Sequence, residues 1–218
     1  MFFNLTSALG EVMHLDNAPA QVREADITFD RPAETYQPEK NSINLFLFDV
    51  RERADLRSSE PVVQRDAAGR AVSMAPPPMR IACSYLVTAW VEAGQSGQSA
   101  ILSQHALLAE ALQVFGRMPA LPGEKLSDAA QAWLRAQPYP VELAVLQPDL
   151  VKNVSEFWTA LGGKLRPSFT LTATVAMVSN EKPEPVSLVT SKNIAIHPSG
   201  ADSPVKKPDR PARSSHRR

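Results

Sequence analysis

The stretch INLFLFDV, residues 43–50, constrains this chain most. In an extended backbone Ile43, Leu45 and Leu47 fall on one side, and Phe46, Phe48 and Val50 fall on the other. A strand that is apolar on both faces has to be covered above and below. The stretch therefore reads as a central strand of a sheet with layers on its two sides.

The elements around it fit such a sheet. Residues 2–15 place Phe2, Leu5, Leu9, Val12 and Met13 at helical spacing. Residues 25–30 form a short strand closed by Pro32, and a loop follows through Tyr36, Pro38, Asn41 and Ser42. Two short runs flank Ala67-Ala68-Gly69 and read as an exposed hairpin; Pro76, Pro77 and Pro78 then make a rigid spacer. Residues 80–91 are a long strand. Ser99 is placed to cap a helix ending near Phe115, with Ile101, Leu108, Leu112 and Phe115 as its apolar stripe. Asp128 with Gln131 resembles a capping box for a short helix through Leu134. Residues 141–146 are a strand, and Asp149 can cap a helix burying Leu150, Val154, Phe157, Trp158 and Leu161, stopped by Gly162. Residues 168–178 alternate most cleanly. Phe169, Leu171, Ala173, Val175 and Met177 share one face; Ser168, Thr170, Thr172 and Thr174 share the other, which should be wet or covered by a partner. Residues 186–196 read as a last strand.

This order predicts an α+β fold: a single domain over residues 1–197 with a mixed, mainly antiparallel sheet flanked by helices. At 44 % hydrophobic residues the chain has enough apolar surface for such a core. Residues 198–218 differ. They are Pro, Ser, Lys and Arg with almost no large apolar side chain, and cannot offset a backbone ordering cost of roughly 1–2 kcal/mol per residue. They read as a disordered basic tail. The formal net charge of the whole chain is zero, so the body is mildly acidic and gives no electrostatic case for nucleic acid or an anionic membrane.

Each chemistry-bearing pattern in the chain fails on spacing or surroundings. A serine nucleophile needs a G-x-S-x-G elbow; residues 94–98 read GQSGQ, with the second glycine one place early, and so describe a plain turn. His14 and His105 lie in the amphipathic helices and His197 and His216 in the last strand and tail, with no H-x-x-x-H pair to hold a metal. Asp49, Glu52 and Asp55 recur every three residues, yet Arg51, Arg53 and Arg57 interleave with them and would neutralise a cation site. The segment reads instead as a solvated strand end and turn, or as a salt-bridging interface between copies. Cys83 is the only cysteine and falls in an apolar strand pattern, which places it in the core and excludes a disulfide within the chain. Trp90, Trp133 and Trp158 lie within elements, where core roles are expected. No phosphate-binding glycine loop is present. The chain has no basic, apolar leader at residues 1–16 and no membrane-spanning run, so assembly in the cytoplasm is expected.

Two segments carry a more specific signal. Residues 41–52, NSINLFLFDVRE, followed by Asp55-Leu56-Arg57, and residues 80–90, RIACSYLVTAW, with the helix of His105 and Phe115 beyond, resemble a known family. It is the N-terminal domain of the tube-terminating cap proteins of extracellular contractile injection systems, the Photorhabdus virulence cassette and antifeeding prophage type. The resemblance covers about residues 1–197. It implies a structural, non-enzymatic subunit of a six-fold ring that ends inner tube and sheath of a phage-tail-like particle. Further copies of the chain, the inner tube protein and the sheath protein would be its partners, and no cofactor, metal, membrane or small-molecule substrate is implied. Members often have longer C-terminal parts, where this chain has only the basic tail.

On this reading the candidate inter-subunit or sheath and tube contacts are Asp49, Arg51, Glu52, Arg53, Asp55 and Arg57. Candidate tail contacts are Lys206, Lys207, Arg210, Arg213, Arg217 and Arg218. A competing reading makes the chain a nucleic-acid-binding accessory protein acting through that tail.

Overall fold

The run RIACSYLVTAW, and not residues 43–50, occupies the middle of the main sheet. In the computed structural model, which describes residues 1–147, 150–178 and 184–185, that sheet has five strands. They are β1 (Asp26–Thr28), β2 (Ser42–Glu52), β5 (Met79–Trp90), β6 (Glu142–Val145) and β7 (Ser168–Met177), in the order β1-β2-β5-β7-β6. β1 runs parallel to β2 and every other pairing is antiparallel, so the fold is α+β with a mixed, mainly antiparallel sheet. A second sheet is built from β3 (Val62–Arg65), β4 (Ala71–Ala75) and β8 (Glu184–Pro185), ordered β3-β4-β8. All these elements belong to one compact unit, Met1–Val186. The expected last strand at residues 186–196 and the basic tail lie outside the described residues.

β5 is central because neither of its faces tolerates water: every residue but Met79 is buried. β2 is apolar on both faces for only part of its length. Ser42 through Leu45 are buried, Phe46 to Asp49 half-buried, and Val50 to Glu52 exposed. Its outer edge meets β1 only at Ser42, Ile43 and Asn44. A bulge at Phe48 also changes which side chains share a face. Leu47 pairs with Tyr85, but Asp49 pairs with Ser84 and Val50 with Cys83. Val50 therefore returns to the face of Leu47, and not to that of Phe46 as simple alternation predicts.

Four helices cover one face of the sheet: α1 (Phe2–Met13), α2 (Ala20–Glu24), α3 (Gly97–Gly116) and α4 (Asp128–Arg135). Leu5, Leu9, Val12 and Met13 of α1 meet Ile43, Leu45, Tyr85, Val87 and Leu171 there. Residues 2–15 were expected to be helical with Phe2 in the stripe; Phe2 is 38 % exposed. α2 had no sequence signal beyond Pro19, since five residues with one buried Val22 are too short for a period. α3 begins at Gly97, with Ser96 and not Ser99 at its N-cap position and no side-chain capping bond there. Its buried face is Ala100, Leu107, Ala111, Val114 and Phe115; Ile101 is exposed, and Leu108 and Leu112 are half-buried. Alanines at the contact let the helix approach the sheet closely, so the larger neighbours turn outward. α4 is capped by Ser127, whose Oγ accepts from the Ala130 N–H, one residue ahead of the expected Asp128.

α5 (Val154–Ala160) lies on the other face. Its ring Phe157 packs edge-to-face on Phe48 at 5.0 Å, and Trp158 is buried. Asn153 caps the helix and Gly162, at φ 75°, ends it; Val154, expected inside, is 45 % exposed, and Asp149 lies outside the described residues. On β7 the inward set holds for Phe169, Leu171, Ala173 and Val175, while Met177 is exposed. The opposite set is less wet than expected: Thr172 and Thr174 are buried and Ser168 and Thr170 half-buried.

Candidate assembly surfaces

Three surfaces stand out, and the first is the charged segment singled out by the sequence. β2 delivers Asp49, Arg51 and Glu52 to the strand's solvent end; a 3-10 turn at Ala54–Leu56 then reverses the chain. Each acid finds an arginine inside the segment. Arg51 Nε lies 3.0 and 2.8 Å from the two oxygens of Asp49. Arg53 donates from Nε and Nη2 to Asp55 at 2.9 and 2.6 Å, a two-pronged pair. Arg57 stands 3.6 Å from Glu52. The Arg53–Asp55 hydrogen bonds hold the Arg53 guanidinium above its ordinary pKa and the Asp55 carboxyl below its own. The segment is thus a self-neutralised solvated turn. No three-carboxylate cluster forms, and among the described residues no group of His, Cys, Asp or Glu is arranged to hold a metal.

Next to this turn stands the small sheet. The three prolines 76–78 and Met79, which lead from that sheet into β5, line a groove of about 610 Å³ together with Glu52, Arg57 and Ser58 of the turn. The hairpin turn is held by Asp66, whose Oδ1 accepts from the N–H groups of Ala68 and Arg70, both at 2.9 Å, and whose Oδ2 accepts from Arg70 Nε. Those bonds, led by the Arg70 N–H, keep the Asp66 carboxyl below its ordinary pKa. Gly69 takes the left-handed conformation at φ 78° that the turn needs. The expected exposed hairpin is therefore present, but as part of a three-stranded sheet with Val62, Val63, Val72 and Met74 all exposed.

The third surface is a cleft at the opposite end of β5. Trp90, the last residue of that strand, is buried between the ring of Tyr36 at 5.1 Å, edge-on, and the guanidinium of Arg166 at 3.8 Å from its centroid. Its Nε1 donates to Thr88 Oγ1 at 3.0 Å, which fixes the ring. The cleft holds about 260 Å³ and is lined by Pro32, Ile101, His105, Lys164 and Leu165 besides Trp90 and Arg166. Lys164 is paired with Glu34 at 2.5 Å, which raises its pKa. Burial lowers the pKa of Arg166, with Glu34 opposing it. Among the described residues no carboxylate bonds Arg166. This cleft had no sequence signal, because its parts come from β5, α3 and the loop before β7 and meet only in the fold. Cys83 and Trp158 are buried, as the strand and helix patterns indicate, and Trp133 is half-buried against the core. His14 ends α1 with its Nδ1 3.0 Å from the Arg23 carbonyl oxygen, and His105 is exposed on α3. The tail residues Lys206, Lys207, Arg210, Arg213, Arg217 and Arg218 lie outside the described residues.

These features define the class first: an α+β sheet domain whose conspicuous surfaces are a projecting sheet, a charged turn and a cationic cleft. Residues 5–192 match the family model described as the Pvc16 N-terminal domain, and the chain belongs to that family. Two solved structures are similar in fold. One is the PVC sheath/tube terminator, in the extended state, of an extracellular contractile injection system. It is 20 % identical with a TM-score of 0.62, over 93 % of this chain and 65 % of that one. The other is the anti-feeding prophage cap, a tube terminating cap, 21 % identical with a TM-score of 0.60 over 88 % of this chain and 60 % of that one. The chain thus spans less than two thirds of either structure's length. No curated protein matches its sequence. No helix among the described residues is long and apolar enough to cross a membrane.

Proposed function

We propose that the chain is a structural terminator subunit of a contractile, phage-tail-like injection particle. It assembles in the cytoplasm as a ring of six copies on the last layer of inner tube and sheath. The observation that carries this reading is its membership of the Pvc16 N-terminal domain family, over residues 5–192, together with a fold similar to a sheath/tube terminator and a tube terminating cap.

The mechanism is geometric and needs no catalytic group. A ring closes when each copy presents two different patches related by a rotation that returns to its start. One face of the ring matches the growing tube and sheath. The other offers no matching face, so addition stops. The charged turn of Asp49, Arg51, Glu52, Arg53, Asp55 and Arg57 is assigned to the sheath or tube contact. Exposed pairs of this kind contribute little to folding and exchange partners readily, which suits them to setting register. Removing the gene from a strain that makes the particle should give tubes and sheaths of uncontrolled or aborted length in electron micrographs, corrected by supplying the chain in trans. Particles of normal length with capped ends in the deletion strain would overturn the proposal.

A further inference from the structure

We infer that copies of this chain join head to tail, with the exposed row Val63, Met74 and Glu184 of one copy seated on the Trp90–Arg166 cleft of the next. The inference extends the terminator reading by naming the two patches that close the ring.

The two surfaces lie at opposite ends of one strand. Met79, where the small sheet connects to β5, and Trp90, against which Arg166 stacks, are the first and last residues of β5, roughly 36 Å apart at about 3.3 Å per residue. β7 carries the same polarity: Ser168, two residues after Arg166, pairs with Thr88, while Met177, on the side leading to Glu184, pairs with Met79. A head-to-tail contact needs two unlike patches so disposed, and a two-fold contact does not.

The head is an uncovered sheet face. Val63 pairs with Met74, and Met74 with Glu184, so the three side chains form one row across the three strands. Val63 is 39 % and Met74 37 % exposed, and Glu184 is exposed. Three short strands with open faces are marginal alone and gain most from burial against another surface. The tail complements it in shape and charge. Ile101 and Leu165, 53 % and 64 % exposed, rim the cleft and match the valine and the flexible methionine. Arg166 carries the charge opposite to that of Glu184. Stacking on Trp90 fixes the guanidinium plane, which leaves its donor edge oriented for a two-pronged carboxylate contact. An arginine and a tryptophan in a cleft with an apolar rim are the composition of an energetic centre in a protein interface.

The test uses cysteine pairs in the full chain, whose own Cys83 is buried and does not compete. Leu165→Cys with Val63→Cys in one chain, which leaves Arg166 and Glu184 in place, should give, under mild oxidation, a ladder of disulfide-linked oligomers on a non-reducing gel. Each single variant should give none, and a mixture of the two singles should give a linked dimer. Met74→Cys replaces Val63→Cys if that variant melts early. In parallel, Arg166→Glu and Glu184→Arg should each weaken association at least about tenfold, and the double exchange should restore it. No ladder from the double variant, or linkage of a single variant as strong as that of the mixture, would overturn the contact. Capped particles without cross-links would leave the terminator reading standing and remove this contact; cross-links from a chain that does not cap particles would do the reverse.

Discussion

Tyr85 shows how much one position on the central strand carries. Its ring is fully buried in the helix-covered core, and its hydroxyl meets Thr6 Oγ1 of α1 at 2.8 Å. A buried hydroxyl without a partner is costly, so this bond fixes where α1 lies on the sheet. Tyr85→Phe should destabilise the fold by about 1 kcal/mol, read as a fall in melting temperature of about 2–4 °C. Two residues before it, burial pushes the Cys83 thiol from 9.0 up to about 11. The native state therefore keeps a proton that the unfolded chain gives up near pH 9. Its contribution to stability is complete below that pH and lost as pH rises through about 11. Tyr85, also raised by burial, acts in the same direction. The urea midpoint should fall between pH 8 and 10.5, and Cys83→Ala should flatten that fall; an unchanged slope would contradict the assignment. The apolar character of both positions was legible in the strand pattern. The Thr6 partner was not, because it lies 79 residues away.

Between elements, the tie that matters most is equally hidden. Ser127 caps α4 by accepting from the Ala130 N–H, and Glu11 of α1 accepts from both the Ser127 N–H at 2.7 Å and its hydroxyl at 2.8 Å. One serine thus satisfies a helix terminus and fastens it to a helix 116 residues distant. Replacing such a cap costs about 1–2 kcal/mol. Ser127→Ala should lower the melting temperature by about 2–4 °C for each kcal/mol lost, and Glu11→Gln by less, since an amide still accepts one of the bonds. The sequence reads S-D-A-A-Q here, and only Asp128 has a glutamine three residues on, so the capping-box pattern points to Asp128 and not to Ser127, which has Ala130 there. The structure places the cap at Ser127, where the contact with Glu11 holds it. α3 slipped for a related reason: the larger Ile101, Leu108 and Leu112 suggest the stripe, but the sheet selects the small Ala100 and Ala111 as the close contact. Periodicity reports that a face exists, while packing decides which neighbour fills it. The bulge at Phe48 is of the same kind, since alternation cannot show where one extra residue turns the faces over.

At the scale of the molecule, the core and the projecting sheet are separable, and that separation can be tested. The core residues jump from Leu45 and the partly buried Leu47 of β2 to Ile81 of β5; nothing between them belongs to it. The chain leaves the main sheet near Arg57 and returns at Pro78 and Met79, and all three line one groove, so the two ends of the excursion lie close together. A short Gly/Ser link in place of residues 58–77 can therefore bridge them. Because the excised strands bury no core side chain, the shortened chain should fold with a melting temperature within a few degrees of the full chain, about the effect of losing 1 kcal/mol. It should nevertheless fail to cap particles in the deletion strain, since the excision removes Val63 and Met74. A shortened chain that unfolds would show that the small sheet supports the core. One that folds and still caps would show that the projecting sheet is dispensable, and the contact of one copy with the next would have to be sought elsewhere on the five-stranded body.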